Sequence, residues 1–81
     1  MDTPTLRQLE YFVALAGLLN FRMAAEACFV SQPTLSGQIA QMEAQLGITL
    51  FERNKRGVRL TSEGATLLPE AAGAAEQSGL G

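Results

Sequence analysis

The stretch Val30-Ser31-Gln32-Pro33-Thr34-Leu35-Ser36-Gly37-Gln38-Ile39 decides how the rest of the chain is read. Ser31 is a capping residue: its hydroxyl can accept a hydrogen bond from a free N–H of a first helical turn. Pro33 comes early enough in that helix for its missing N–H to leave no bond unmade. Leu35, Ile39, Met42 and Leu46 recur at helical spacing and draw one apolar stripe. What is left at the free N-terminal end is small and polar: Gln32, Thr34, Ser36, Gly37 and Gln38. Two readings fit. One is an amphipathic core helix with a solvated polar face. The other is a helix anchored on one face that offers hydrogen-bonding groups to a major groove.

Composition bounds the choice. The 81 residues suffice for one small domain with one modest core, and a hydrophobic share of 47% is not that of a disordered chain. No apolar run approaches a membrane span, and the N-terminus carries no secretory pattern. Cys28 is the single cysteine, which rules out an intrachain disulfide and suits a reducing cytosol. Histidine is absent. That removes His-ligated metal sites and His-based catalysis, and one thiolate cannot build a metal cage. No nucleophile–base pair or carboxylate pair is readable. No catalytic residue, metal or cofactor is therefore expected, and an enzyme is the least supported class.

The net charge of −2 argues at first against a nucleic-acid partner. Its distribution argues the other way. Residues 50–60 carry Arg53, Lys55, Arg56 and Arg59 against Glu52, a local net of +3, while the rest of the chain carries −5. A total that hides such a split does not say where an anion docks.

Outward from the opening stretch, four helices and a hairpin are expected. Thr5 is a candidate N-cap for a first helix to about Leu18, with Gln8 placed for a capping box. Leu6, Leu9, Val13 and Ala16 form its core stripe, with Phe12 and Leu19 beside it, Tyr11 at the stripe's edge, and Gly17 weakening the last turn. Residues 1–4 read as an irregular lead. Asn20 caps a second helix, Phe21 to about Cys28, whose Ala24-Ala25 pair lets another helix approach closely. The turn to the third helix is only Phe29-Val30, with Cys28 and Val30 pointing inward. Cys28 reads as a packing thiol, since no basic neighbour in sequence stabilises a thiolate. Arg22 fits a phosphate contact and a solvated charge equally well. The third helix stops at Gly47. Ile48-Thr49-Leu50-Phe51 and Val58-Arg59-Leu60 then flank a polar turn, a hairpin signal. Phe51 is expected to plug the core and the four cations to decorate the hairpin. A solvated edge is one account of them, but anion binding is preferred on a chain otherwise acidic. Thr61 caps a fourth helix with Glu63 against its dipole and Leu68, Ala71 (or Ala72) and Ala75 as a thin stripe. Pro69 should bend it, and the helix should run to about Glu76 and then fray.

This order resembles a winged helix–turn–helix, and specifically the N-terminal domain of LysR-type transcriptional regulators. The resemblance rests on Leu6 to Ala16, Ala24-Ala25-Glu26, Val30 to Ser36, Gln38-Ile39, Met42-Glu43, Leu46-Gly47, Leu50-Phe51-Glu52-Arg53 and Val58-Arg59-Leu60-Thr61. Phe21-Arg22, the Cys28 position and Gln32 to Ile39, with Gly37 where most of the family has Arg, resemble the peroxide-responsive, OxyR-type branch. That branch's sensing cysteines lie in a later domain, and Cys28 is not carried over as one of them.

The resemblance implies a mainly α fold, with residues 1–60 a winged helix–turn–helix DNA-binding domain and 61–81 a truncated linker and dimerisation helix. It implies a homodimer through that helix, a higher oligomer in a full-length protein, a palindromic double-stranded operator, a cytoplasmic bacterial regulator and an effector domain absent from this stretch. The family's DNA-contacting positions fall on Gln32, Pro33, Thr34, Ser36 and Gly37, and on Arg53 and Arg56 near the wing. After about Ala72 the sequence leaves the family pattern. The third helix holds no Arg or Lys, so base reading would fall to Gln32, Thr34 and Ser36 and affinity mainly to the wing and to helix N-termini on phosphates. The alternative is a winged-helix dimerisation or protein-interaction module without DNA specificity of its own.

Overall fold

The computed structural model describes residues 4–79; of the expected irregular lead, residues 1–3 lie outside it, as do residues 80–81 of the expected frayed end. The elements run α1 (Leu6–Leu18), α2 (Phe21–Ala27), α3 (Gln32–Leu46), β1 (Phe51–Asn54), β2 (Gly57–Leu60) and α4 (Ser62–Gly79). Helix α1 packs on α2, α3 and α4, and α2 packs on α3. The two strands form one antiparallel hairpin in which Phe51 pairs with Leu60 and Asn54 with Gly57. This is a winged helix–turn–helix, mainly helical as the sequence predicts.

Every helix start follows from a hydroxyl or amide at its N-cap. Thr5 accepts from the Gln8 N–H at 3.1 Å while Gln8 Oε1 accepts from the Thr5 N–H at 3.0 Å, a complete capping box. Asn20 Oδ1 accepts from the Met23 N–H at 2.9 Å, and Ser31 Oγ from the Thr34 N–H at 3.2 Å. Thr61 Oγ1 accepts from the Gly64 N–H at 3.0 Å. Gly47 ends α3 in the left-handed conformation, φ 72°, where glycine has no Cβ to clash.

The core is built on Phe12, Leu15, Leu35, Met42 and Leu50, all fully buried. Phe12 meets Phe51 edge to face, ring centroids 5.6 Å apart, so Phe51 does plug the core from the hairpin. Leu35, Ile39 and Met42 bury the predicted stripe of α3, with Leu46 half-buried. Cys28 is buried and Val30 half-buried. Burial pushes the Cys28 thiol above its ordinary pKa, outweighing the pull of Arg7.

Three expectations need correction. The buried face of α1 is Gln8, Tyr11, Phe12 and Leu15, not Leu6, Leu9, Val13 and Ala16. Leu6 and Leu19 are exposed, and Leu9, Val13 and Ala16 are half-buried at the core's margin. The physical reason is that α1 has neighbours on several sides, so its apolar surface is wider than one stripe, and Gln8 is tolerated inside because its amide is bonded. Gln8 Nε2 donates to Gln38 Oε1 at 3.1 Å. The first wing strand starts at Phe51 rather than in Ile48-Thr49-Leu50, and the turn is only Lys55-Arg56, with Asn54 Oδ1 accepting the Arg56 N–H at 2.7 Å. Polar Glu52, Arg53 and Asn54 are strand residues because a two-stranded wing has an open face. Finally, α4 runs to Gly79, past Glu76, with Pro69 inside it as expected. Ala71 of its predicted stripe is buried and Leu68 and Ala75 are half-buried.

Candidate nucleic-acid interface

One end of α3 is built to face outward. Gln32, Pro33, Thr34 and Gly37 are exposed and Ser36 is half-buried, while Leu35 and Ile39 hold the opposite side in the core. The Gln32 amide makes no hydrogen bond among the described residues. The Thr34 hydroxyl accepts from the Ser31 hydroxyl at 2.9 Å, which leaves its own proton and methyl free. A Cβ built on Gly37 would meet no atom within 4 Å. Nothing in the fold requires glycine there.

The wing stands beside this end of the helix, and Arg53 makes the join. Alternation along a strand puts Arg53 on the same face as Phe51, toward the helices, with Glu52 and Asn54 on the other. Arg53 Nη2 donates to Ser36 Oγ at 2.9 Å. Its guanidinium lies over the Phe21 ring, 4.1 Å from the centroid. Arg53 is therefore not one of four equivalent surface cations, as its place in the charge run suggests. It ties β1 to α2 and α3. The platform, Phe21, gives no sign of this role in the sequence beyond being an aromatic at the first position of α2.

Lys55, Arg56 and Arg59 are exposed and form no ion pair among the described residues. Asn54, Lys55, Arg56, Gly57, Val58 and Arg59 line an open hollow of about 430 Å³, with three of the six residues cationic. Arg59 sits across from Glu52 in the strand register, which partly balances the outer face. Arg56 occupies the turn itself, away from α3. Arg22 is exposed on the first turn of α2. Arg7, the remaining cation, is committed elsewhere. It pairs with Glu10 at 3.1 Å, meets the Tyr11 hydroxyl at 3.1 Å and donates to the Cys28 carbonyl at 3.0 Å. The bond to Glu10 and then that to Tyr11 raise its pKa above the ordinary value.

Glu43 is a residue whose part is not evident from the sequence. Its Oε2 accepts the backbone N–H of Leu50 at 2.7 Å and of Phe51 at 3.1 Å, so the start of the wing is fastened to α3 by Glu43 as well as by Arg53. An acid flanking the apolar stripe seven positions before Leu50 is the signal that was there to be read. Among the described residues there is no cluster of side chains able to hold a metal ion, and no helix is long and apolar enough to cross a membrane.

The chain is similar in sequence and in fold to known proteins. The chain is 53% identical over 66 residues to the hydrogen peroxide-inducible genes activator of Pectobacterium carotovorum, covering 82% of this chain and 22% of that protein. It is 53% identical over the same length to the dual regulator OxyR of Escherichia coli K12, and 48% identical over 73 residues to the Hca operon activator HcaR of that organism. HcaR is matched over 90% of this chain and 25% of its own length, so the chain spans a quarter or less of these relatives. Among solved structures, hydrogen peroxide-bound OxyR C206S of Corynebacterium glutamicum superposes with a TM-score of 0.93 at 38% identity, over 96% of this chain and 25% of that one. The DNA-binding domain of CbnR in complex with DNA gives 0.85 at 41% identity, over 93% and 86%. A family model for bacterial regulatory helix-turn-helix proteins of the lysR family matches residues 6–65, which spans α1, the α2–α3 pair, the wing and the start of α4; the chain belongs to the LysR family.

Proposed function

We propose that this chain is the sequence-specific DNA-binding domain of a transcriptional regulator of the peroxide-responsive branch, with residues 1–60 docking on DNA and α4 linking two copies. The observation that carries the reading is the pairing of an exposed, cation-free helix end with a wing whose Lys55, Arg56 and Arg59 form no ion pair among the described residues. Gln32, Thr34 and Ser36 read base edges in the major groove, Pro33 and Gly37 let the helix approach closely, and Arg56 with its neighbours meets phosphates. Arg53 lies at the junction of helix and wing and belongs to both. The solved CbnR complex supports DNA as the partner, and the peroxide-inducible activators among the relatives support the branch.

Pairing through α4 is supported by its outward positions Ala65, Pro69, Gly73 and Glu76, mostly small, at helical spacing on one exposed face. The partner site is then a palindrome whose half-sites follow the two-fold axis. A DNA partner places the regulator in the cytoplasm, and its role is regulatory, not catalytic.

The test is binding of the chain to randomised duplexes over a salt series. The expected result is enrichment of a palindrome and an affinity that falls steeply with salt. A chain that passes heparin and duplex columns alike regardless of salt is an interaction module, and the DNA reading fails.

A further inference from the structure

We infer that Arg53 acts through Ser36: it fixes the direction of the Ser36 hydroxyl and makes that hydroxyl a hydrogen-bond donor toward DNA. The inference rests on the DNA reading above and sharpens it.

A serine hydroxyl carries one proton and two lone pairs, so it can donate, accept or do both. At Ser36 the choice is made by the protein. Arg53 Nη2 donates to the oxygen at 2.9 Å, a charge-assisted bond that occupies a lone pair on the wing side. A guanidinium has no acceptor, and its charge repels a hydroxyl proton turned toward it. The proton therefore points away from Arg53. A helical hydroxyl can satisfy that proton on the carbonyl four residues back. Thr66 does so in α4, donating to the Ser62 carbonyl at 3.0 Å. Ser36 makes no such bond among the described residues. Its proton is left for an outside acceptor, one turn from the exposed Gln32 and beside the exposed Gly37.

Arg53 is itself held. The Phe21 ring, 4.1 Å beneath the guanidinium, is 8% exposed and anchored in the core, so the exposed cation rests on a fixed platform while it donates to Ser36. Arg53 is thus the positioning residue and Ser36 the one that meets DNA. The atoms that suit Ser36 are acceptors: a purine N7, the guanine O6 or thymine O4 edge, or a phosphate oxygen. A cytosine amino group, which only donates, meets just the remaining lone pair and leaves the Ser36 proton unsatisfied, so it is disfavoured.

The experiment uses the whole chain and the duplex it enriches from a randomised pool, with a scrambled duplex as reference. Ser36→Ala and Arg53→Gln are each expected to lower the preference for the enriched duplex about fivefold, the worth of one hydrogen bond. The double variant should lose no more than either alone. Arg53→Lys, which keeps a cation over Phe21 and a donor near Ser36, should recover part of the preference, and thermal melts report whether each variant is folded. Replacing single purine N7 atoms by carbon, base carbonyl oxygens by sulfur and phosphates by methylphosphonates should find one position at which Ser36→Ala no longer matters, and its kind says whether base or backbone is met. Losses that multiply in the double variant, or an Arg53→Gln that weakens both duplexes equally, overturn the inference while leaving the DNA reading intact. A wild-type chain that enriches no duplex overturns both.

Discussion

Gly64 lies so near Leu50 that a Cβ built on it would stand 2.7 Å from the Leu50 carbonyl oxygen. The same Cβ would be 2.7 Å from Leu60 Cδ1. The first turn of α4 thus rests directly on the base of the wing. Gly64→Ala is expected to destabilise the fold by about 1–3 kcal/mol, because the atom it meets is backbone and cannot move aside. A urea melt checks this, and an unchanged midpoint would show that the chain relaxes around the methyl without cost.

Gly37→Ala separates folding from function. The site is open and helical, so replacing glycine should stabilise α3 by about 0.5–1 kcal/mol. DNA preference should fall nonetheless, since the added methyl projects where a groove would come closest. Higher stability with unaltered selection from randomised duplexes would remove Gly37 from the interface.

Glu43→Ala strands two amide groups at once. Loss of the carboxylate that accepts from Leu50 and Phe51 should cost about 1–3 kcal/mol. Hydrogen exchange should quicken at these two amides ahead of the helices. Uniform quickening throughout the chain would point to global destabilisation alone.

Wing-tip cations and helix residues should fail in different ways. Lys55→Ala and Arg56→Ala are each expected to weaken every duplex and to lower the salt slope by about 0.9 for each phosphate no longer neutralised. Gln32→Ala should leave the slope unchanged and relax one base position by about 1–3 kcal/mol. Titrations at several salt concentrations on matched and mismatched duplexes distinguish them. An equal effect of Gln32→Ala on both kinds of duplex would take it out of base reading.

The Cys28 thiol supplies a pH dependence. Its folded pKa is raised by burial above the ordinary thiol value of 9.0, so the unfolded chain loses this proton at lower pH than the folded one. The stabilisation from keeping the thiol neutral is fully present below that value and is lost as pH rises through the folded pKa. Alkylation of Cys28 by iodoacetamide at neutral pH should be much slower than in the urea-unfolded chain, and Cys28→Ala should flatten the alkaline limb of the stability curve. Fast labelling of the folded chain would contradict the burial.

Much of this architecture was legible in the residues, because the signals were local. Ser31, Asn20, Thr5 and Thr61 mark four helix starts by side chains acting within three residues of themselves. The stripe Leu35, Ile39, Met42 needs only one helix period to be seen. What escaped was set by packing across the chain. The buried face of α1 depends on three helical neighbours, and no period within Leu6–Leu18 says which of its apolar residues they cover. The Arg53–Ser36 bond joins residues 17 apart, and the Glu43–Leu50 bond crosses the end of a helix. A run of four cations reads as one patch, and only the strand's alternation puts one of them on the face toward the helices.

Thr61 is the whole connection between β2 and α4. Its hydroxyl donates to the Thr49 carbonyl at 2.6 Å, and its N–H donates to the Leu50 carbonyl at 3.0 Å. With Gly64 seated on that same carbonyl, the joint has no slack to absorb a twist. The exit helix is thereby keyed to the base of the hairpin through one residue, with no loop between them. A rotation of that helix is therefore expected to carry the base of the wing with it, and with the wing Lys55 and Arg56.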